Sequence, residues 1–371
     1  MKVAYLLGSL NRGGAETLVL DVSRNANKAP FEMLCIHRKG GAYIDDYYSS
    51  GITMIQCAPR RLDILRYLWQ LRKHLMQENV TIVHAQQSLD CVYAWLATIG
   101  TDIRVIETFH GYDYGRRRFD KFVNALSVRM ADVVCFVSKA ELDYYVENYR
   151  IRHQEKLHVV YNGIDFSKLD ASYPIPDFLA EKSNKVRLTM VGNFVKGRSQ
   201  KVLVEAIKMI DKEEELKEKL DFYFIGRRDE KQAWRYDECV QYCKKHHLDN
   251  VHFMGARSDV PAVLKTMDGF VYSTVHDTFG IAVVEAIAAG LPIVVNDWDV
   301  MKEVCGEANE GIRYFKSGEA EDAAEKIKEL LENFVKSKKV AEANAKRVRG
   351  QYSIERHIER LSGVYSGVCK E

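Results

Sequence analysis

The sequence has few prolines, no long apolar run and almost no net charge. Its 371 residues include 6 prolines, and the formal net charge is +2. The small net charge gives no overall basic signal for nucleic-acid binding. No apolar run approaches the roughly 20 residues that a membrane-spanning helix needs. The charged start of the chain reads as a first strand and not as a signal peptide, so we expect a soluble, cytoplasmic protein.

The sequence also has no cysteine spacing typical of a disulfide framework. Its eight cysteines are scattered, and several lie inside apolar runs such as VVCFV. Such a distribution is typical of reduced, mostly buried thiols in a cytoplasmic protein.

Short apolar strands alternate with amphipathic helical patterns along most of the chain. This alternation predicts α/β domains with parallel sheets covered by helices. We expect a first domain over residues 1–165, a linker over 166–185, where the alternation stops, and a second domain over 186–353. Ligands of such sheets bind at the carboxyl ends of the strands. In the first domain, this rule places four segments on one rim: Gly8–Glu16, His84–Ser88, His110–Tyr114 and Ser138.

The stretch from Asp268 to Val295 has the most informative pattern. It reads as an apolar strand, a polar loop, a helix with the sequence IAVVEAIAAG, and a second strand. Asp277 and Thr278 are typical N-cap residues, and Gly290 stands where a left-handed C-terminal residue is expected. A strand that passes through a loop into a helix N-terminus makes an anion site. Asp277 and Glu285 are placed to hold hydroxyls of a ligand whose phosphates lie there.

This stretch resembles the signature of the family 4 retaining glycosyltransferases. In that signature, two acidic residues with seven residues between them bracket a Phe-Gly pair. The family usually has Glu at both ends, whereas this chain has Asp277 first and Glu285 second, around Phe279 and Gly280. Two further segments resemble those of the family: VVYNGID (159–165) and VHFMGARSDVP (251–261).

The resemblance implies the arrangement called GT-B, in which two Rossmann-like parallel-sheet domains face a cleft. It also implies that the last helix, 354–369, packs back onto the first domain. The implied activity is transfer of a sugar from a nucleotide-diphosphate donor, UDP-sugar favoured over GDP-sugar, to a hydroxyl acceptor with retention at the anomeric carbon. The expected product is a bacterial surface polysaccharide or glycolipid.

The resemblance also implies roles for individual residues. His110, at the end of the strand RVIETF, contacts the donor sugar, and Gly13-Gly14 lie under the donor phosphates. Glu285 binds the ribose hydroxyls, and Asp277 meets a hydroxyl of the sugar. The candidate catalytic residues are therefore His110, Asp277 and Arg198. The candidate donor-binding residues are Gly13, Gly14, Asn193, Arg198, Lys201, Gly226, Arg227, Ala256, Arg257, Asp277, Phe279, Gly280 and Glu285.

The expected diphosphate clamp departs from the family pattern. The family has an arginine here and a lysine five residues later, where this chain has Asn193 and Arg198. Arg198 supplies a bidentate fork for phosphate oxygens. Asn193 supplies no charge, so either Lys196 or Lys201 compensates or the diphosphate is held less tightly. We see no Asp-x-Asp placed for a metal, and we expect a metal-independent reaction without a cofactor.

Two basic runs suggest where an acceptor binds. Arg116, Arg117 and Arg118 directly follow the His110 loop, and we interpret Arg116 and Arg117 as acceptor-side residues that bind a phosphate of the acceptor carrier. The second run, over residues 60–73, is either a solvated helix face or a contact with anionic lipid. The expected acceptor is a saccharide or a lipid-linked sugar, with peripheral contact to the inner face of the membrane.

Two other functions remain open at this stage. An epimerase or hydrolase of nucleotide sugars uses the same architecture and releases the nucleotide without an acceptor. A non-catalytic nucleotide-sugar-binding subunit is conceivable because Asn193 and Asp277 depart from the family pattern. A nicotinamide oxidoreductase is disfavoured, because the G-x-G-x-x-G spacing is absent after the first strand.

Overall fold

The computed structural model describes residues 1–59, 63–114, 117–151, 153–179 and 184–369. The chain forms two compact units. The first comprises Met1–Ile164 and Tyr352–Glu371, and the second comprises Asp165–Gln351. The described part of the predicted linker 166–185, residues 166–179 and 184–185, belongs to the second unit.

The first unit is built on a parallel sheet whose strands are β1 (Lys2–Ser9), β2 (Glu32–Lys39), β3 (Thr53–Gln56), β4 (Ile82–Ala85), β5 (Arg104–Phe109), β6 (Val133–Phe136) and β7 (Leu157–Val159). The sheet order is β3-β2-β1-β4-β5-β6-β7. The helices of this unit are α1 (Gly14–Arg24), α2 (Ile44–Tyr48), α3 (Ile64–Gln77), α4 (Ser88–Thr98), α5 (Arg118–Met130), α6 (Lys139–Tyr149) and, at the end of the chain, α16 (Ile354–Val368).

Both faces of this sheet are covered by helices, because successive side chains of each strand point to opposite faces. In β1, Val3 and Tyr5 pack in an apolar cluster with residues of α1 and α16, whereas Ala4 and Leu6 pack in a second cluster with residues of α3 and α4. Strands buried on both faces are continuous apolar runs, as the sequence shows here.

The terminal helix α16 is also joined to the first sheet by polar contacts. The Tyr365 hydroxyl lies 2.8 Å from the Tyr5 hydroxyl and 2.6 Å from Nδ1 of His84. The other ring nitrogen of His84 lies 2.6 Å from Oγ1 of Thr108. Burial lowers the pKa of His84 to about 3, so the imidazole is neutral in this network.

The second unit repeats the plan with the strands β8 (Val186–Val191), β9 (Leu220–Ile225), β10 (Val251–Phe253), β11 (Gly269–Tyr272), β12 (Ile293–Asn296) and β13 (Ile312–Phe315). They form a parallel sheet in the order β10-β9-β8-β11-β12-β13. Its helices are α7 (Ser167–Asp170), α8 (Gln200–Ile210), α9 (Glu214–Lys217), α10 (Ala233–His246), α11 (Val260–Thr266), α12 (Ile281–Ala288), α13 (Asp299–Cys305), α14 (Ala320–Glu332) and α15 (Phe334–Tyr352).

The two parallel sheets predicted from the sequence are confirmed. The strand order reverses between β1 and β4 in one sheet and between β8 and β11 in the other. Ligands of open α/β sheets bind at this reversal, next to the carboxyl ends of the strands. All eight cysteines are free thiols and seven are buried, as predicted. In the part of the chain that the structure describes, no helix combines the length and apolarity needed to cross a membrane.

Candidate active site

In the second unit, the loops that follow β8 and β11 lie against each other at the reversal of strand order. The backbone N–H of Ser199 donates to the carbonyl oxygen of Ser273 at 3.1 Å. The Arg198 guanidinium donates from Nη1 to Oγ1 of Thr274 at 3.3 Å. The fold thereby brings Arg198 to the loop that contains Asp277.

Arg198 and Asp277, two of the predicted catalytic residues, form an ion pair. Nη1 of Arg198 lies 2.5 Å from Oδ1 of Asp277, and the Tyr272 hydroxyl donates to Oδ2 at 2.6 Å. Nε of Arg198 is buried and has no hydrogen-bond partner among the described residues. An unpaired buried N–H is a donor that a bound phosphate oxygen can satisfy. Arg198 is therefore fixed in place and still has capacity for an anion.

The helix α12 begins at Ile281, so the prediction that Asp277 and Thr278 cap it is wrong. The Asp277 carboxylate is held by the ion pair described above and is not available as a cap. Gly280 takes the N-cap position with φ +79°, and a β-carbon there would lie 2.6 Å from Cε of Met301. The left-handed backbone favours glycine at this position, and a larger residue would also displace the Met301 side chain. No described side chain caps this helix end, although the N–H of Val283 donates to the carbonyl oxygen of Gly280 at 2.9 Å. A helix end without a side-chain cap suits an anion.

The remaining predicted residues of this segment lie around the same helix start. Phe279 is buried, and Glu285 is partly buried on the second turn of α12. The indole N–H of Trp298 donates to the carbonyl oxygen of Asp277 at 3.0 Å. The loop between β11 and α12 is therefore anchored through its backbone as well as its side chains.

Asn193, which replaces an arginine of the family pattern, connects two loops of the second unit. Its Oδ1 accepts a hydrogen bond from the backbone N–H of Arg227 at 2.9 Å. A β-carbon at Gly226 would overlap the carbonyl oxygen of Gly192, so the loops after β8 and β9 are in close contact. Asn193 thus has a structural role here that needs no charge.

Lys201 and Arg257, two predicted donor-binding cations, have acidic partners of their own. Nζ of Lys201 lies 3.3 Å from Oε1 of Glu238 and 4.0 Å from the centre of the Tyr242 ring. The guanidinium of Arg257 makes two hydrogen bonds of 2.7 Å to Asp259. Ala256, beside Arg257, is exposed. These two cations are therefore neutralised locally.

In the first unit, His110 follows the last residue of β5 and is oriented by Gln86. Its Nε2 lies 2.8 Å from Oε1 of the Gln86 amide. Burial, with a smaller contribution from the nearby His357, lowers the pKa of His110 to about 3. The ring is thus neutral near pH 7, with Nε2–H donating to Gln86, and its Nδ1 is an acceptor.

His110 lines a cavity of about 410 Å³ at the carboxyl ends of β4 and β5. Gly13 is the N-cap residue of α1, which begins at Gly14, and Glu16 of this helix lines the cavity. The cavity is also lined by Gln86, which belongs to the segment His84–Ser88 that the sequence placed on this rim. Three further lining residues were not singled out by the sequence: Glu107, Asp120 and Asn124. Glu107 lies in β5, the strand that ends before His110. A charged residue in an otherwise apolar strand could have identified it as a candidate site residue.

The loop after His110 is held by three tyrosines of α6. The Tyr145 hydroxyl donates to the carbonyl oxygen of Gly111 at 3.0 Å, and the hydroxyls of Tyr144 and Tyr149 both donate to the carboxylate of Asp113. Asp113 is 1% exposed. The sequence analysis missed this contact, although a helix with three tyrosines within six positions was visible.

The acceptor-side prediction is only partly within the described residues. Arg116 lies outside them, and so do Arg60 and Arg61 of the other basic run. Arg117 is exposed at the N-cap of α5. Phe119 and Phe122 of the same helix are 66% and 62% exposed.

In the described part of the chain, no group of three or more His, Cys, Asp or Glu side chains is placed to hold a metal ion. The sequence analysis did overlook one Asp-x-Asp, Asp297-Trp298-Asp299, at the end of β12. The Asp297 carboxylate accepts hydrogen bonds from the backbone N–H and the hydroxyl of Ser317 at 2.9 and 2.8 Å.

Two protein-family models match consecutive parts of the chain. "Glycosyltransferase Family 4" matches residues 12–168, and "Glycosyl transferases group 1" matches residues 174–348. Together they span most of the first unit and most of the second.

Individual proteins show the same similarity. N-acetyl-alpha-D-glucosaminyl L-malate synthase of Bacillus anthracis is 24% identical over 305 residues, which cover 80% of this chain and 77% of the relative. O-antigen biosynthesis glycosyltransferase WbnH of Escherichia coli is 22% identical over 98% of this chain and 99% of its own. The crystal structure of Anabaena Alr3699/HepE in complex with UDP has a TM-score of 0.86 at 18% identity, covering 99% of this chain and 100% of the other.

Proposed function

Because the chain belongs to the family 4, group 1 glycosyltransferases and has their GT-B fold, we propose that it transfers a sugar from a nucleoside-diphosphate donor to a hydroxyl group with retention at the anomeric carbon. The observation that carries this proposal is the Arg198–Asp277 pair at the reversal of strand order. Arg198 lies in the loop after β8, and Asp277 lies in the loop before the uncapped end of α12. A cation and a helix N-terminus together suit a diphosphate leaving group.

The donor is assigned to the second unit as follows. Arg198 and the N–H groups of Phe279 and Gly280 bind the diphosphate, and Glu285 accepts hydrogen bonds from the ribose hydroxyls. The backbone of Gly226–Arg227 and Ala256–Arg257 contacts the base. Lys201 reaches the diphosphate only by giving up its ion pair with Glu238.

Catalysis is assigned to His110, Asp277 and Arg198. Arg198 stabilises the negative charge that develops on the leaving diphosphate. His110 is neutral and donates Nε2–H to Gln86, so its Nδ1 accepts a hydrogen bond from a donor-sugar hydroxyl. Gly13-Gly14 let the backbone approach the donor phosphates closely. Asp277, fixed by Arg198 and Tyr272, contacts a further hydroxyl of the sugar.

We assign the nucleotide as UDP in preference to GDP and the reaction as independent of metal ions. The structurally similar Anabaena protein was crystallised with UDP. A divalent ion is not needed where an arginine and a helix end neutralise the leaving group.

UDP should therefore raise the melting temperature of the full chain by several degrees, more than GDP does, and equally in EDTA and in magnesium. A ligand at one hundred times its Kd stabilises the native state by about 2.7 kcal/mol. Thermal-shift titration of UDP, GDP and their sugars measures this directly. A shift that requires magnesium would contradict the metal-free site, and no shift with any nucleotide would contradict the donor assignment.

We assign the product to bacterial surface polysaccharide or glycolipid synthesis on the inner face of the cytoplasmic membrane. The Escherichia coli relative is named for O-antigen biosynthesis. The N-terminal end of α5 exposes Phe119 and Phe122 beside Arg117, Arg118 and Lys121. Exposed aromatic residues among cations suit a surface of anionic lipid, where a lipid-linked acceptor would be presented.

The Phe119→Ser/Phe122→Ser double variant should bind phosphatidylglycerol vesicles at least about tenfold more weakly than the wild type, because each exposed phenylalanine contributes apolar area to the lipid contact. Vesicle flotation at low salt measures the bound fraction. Trp234→Ser is the matched control, since Trp234 is an exposed aromatic residue beside an arginine in the second unit. Equal losses in both variants, or none in the double variant, would contradict the assignment.

A further inference from the structure

The cavity beside His110 has a polar wall that neither the family comparisons nor the predicted donor contacts account for. It has a volume of about 410 Å³ and belongs entirely to the first unit. Its size is in the range of small-molecule sites, and its position at the end of β4 and β5 is where open α/β sheets bind ligands.

One buried amide in this wall has an unused donor. Gln86 is 5% exposed, its Oε1 accepts from His110, and its Nε2 has no hydrogen-bond partner among the described residues. A buried N–H without a partner costs free energy, and an oxygen of a bound ligand would remove that cost. Gln86 therefore indicates a ligand with hydroxyl or carbonyl oxygens.

The charges around the cavity restrict that ligand further. Three carboxyl groups line it, from Glu16, Glu107 and Asp120, and its described lining includes no lysine or arginine. Glu107 is 0% exposed, and burial raises its pKa to about 7. His110 adds no positive charge near pH 7, because its pKa is lowered to about 3. Glu107 is therefore only partly ionised near pH 7, and the negative charge comes mainly from Glu16 and Asp120. A carboxylate or phosphate placed in this cavity would be repelled by these two side chains.

The described cations at the start of α5 lie on an outer surface. Arg117, Arg118 and Lys121 are exposed at the start of α5, next to Phe119, which is both exposed and part of the cavity lining. The cavity wall is thus acidic, whereas its rim on α5 is basic. This arrangement favours a ligand with an uncharged group inside the cavity and an anionic group at the rim.

We propose that this cavity binds a sugar ring of the acceptor that is uncharged or carries an amino group, and rejects a ring that carries a carboxylate or phosphate. This inference rests on the proposed function, since it assigns the acceptor of that reaction. The phosphate of a lipid-linked acceptor lies outside the cavity, at the exposed cations of α5.

Methyl glucoside and two derivatives, each changed from it at a single carbon, test this specificity. Methyl glucoside, methyl glucosaminide and methyl glucuronide are titrated against the UDP-bound full chain, and their affinities are measured by ligand-observed NMR. The glucuronide should bind at least about tenfold more weakly than the other two, since specificity of this kind comes from repulsion of the wrong ligand. Equal affinities, or no binding of any glycoside while UDP still binds, would overturn the inference. A failure to bind UDP would instead overturn the proposed function.

Substitutions in the cavity wall test whether its side chains cause the discrimination against the glucuronide. Asp120→Asn should strengthen glucuronide binding about fivefold and leave glucoside binding within about twofold, because only the repulsion is removed. Gln86→Leu should weaken glucoside binding about tenfold through loss of the amide donor. Asp143→Asn is the control, since Asp143 is exposed and paired with Lys139 on α6. Unchanged discrimination in Asp120→Asn would contradict the role of the cavity charges.

Discussion

Arg198→Ala should lower kcat/KM for the sugar donor by about 100- to 1,000-fold, the range found when a donor that stabilises transition-state charge is removed. Arg198 reaches from the loop after β8 to Asp277 in the loop before α12, and its Nε has no hydrogen-bond partner in the described residues. The substitution also leaves the Asp277 carboxylate without its cationic partner, which adds repulsion toward the diphosphate. Steady-state kinetics of nucleotide release measure the effect.

Two further variants separate the role of Arg198 from a loss of charge alone. Arg228→Ala removes an exposed arginine of the same unit that is paired with Asp237, and it should retain activity within about twofold. Arg198→Lys should recover only part of the activity, because an ammonium group does not provide the bidentate fork. Activity of Arg198→Ala near that of the wild type would remove Arg198 from the catalytic group.

His110→Ala should reduce sugar transfer by at least about 100-fold while the affinity for UDP stays within about twofold. The ring is assigned to the donor sugar, whereas the nucleotide contacts are assigned to the second unit. The hydrogen bond from the sugar hydroxyl to Nδ1 of His110 is expected to stabilise the transition state more than the bound substrate. The variant should therefore lower kcat more than it raises KM. Single-turnover transfer and UDP titration measure the two quantities separately.

The pH profile gives an independent test of this assignment. Burial lowers the pKa of His110 to about 3, so the ring is neutral throughout the range from pH 6 to 8. Activity in that range should not follow the titration of an imidazole near its ordinary pKa of about 6.5.

His158→Ala, at an exposed position of β7, is the control for the His110→Ala variant and should be fully active. Wild-type transfer by His110→Ala would reduce the residue to a structural role.

The fold could be predicted from the sequence because the burial of a strand shows in the apolar character of its own residues. The runs KVAYLL and VRLTMVG are mostly apolar, as strands buried on both faces are, and their ends mark the edges of the sheets where both candidate sites lie. Gly290 was correctly expected in the left-handed conformation, with φ +81°, because helix ends use glycine in this way.

The partners within the sites could not be predicted, because they are distant in sequence. Asp277 has the local character of a helix cap, yet its carboxylate is held by Arg198 from the loop after another strand. Asp113 is bound by tyrosines of α6, and Asn193 by the backbone of Arg227. Such contacts depend on which strands become neighbours, and neither capping preference nor periodicity contains that information.

The central claim is that the second unit binds a nucleoside diphosphate through Arg198, the start of α12 and Glu285 without a metal ion. Calorimetric titration of UDP into the full chain in EDTA tests it most directly, with Glu285→Ala beside the wild type and Glu325→Ala, an exposed glutamate of α14, as control. We expect one UDP per chain, an affinity at least about tenfold lower for Glu285→Ala, equivalent to about 1.4 kcal/mol, and no change for the control. Absence of binding in EDTA, or equal affinities for wild type and Glu285→Ala, would contradict the claim.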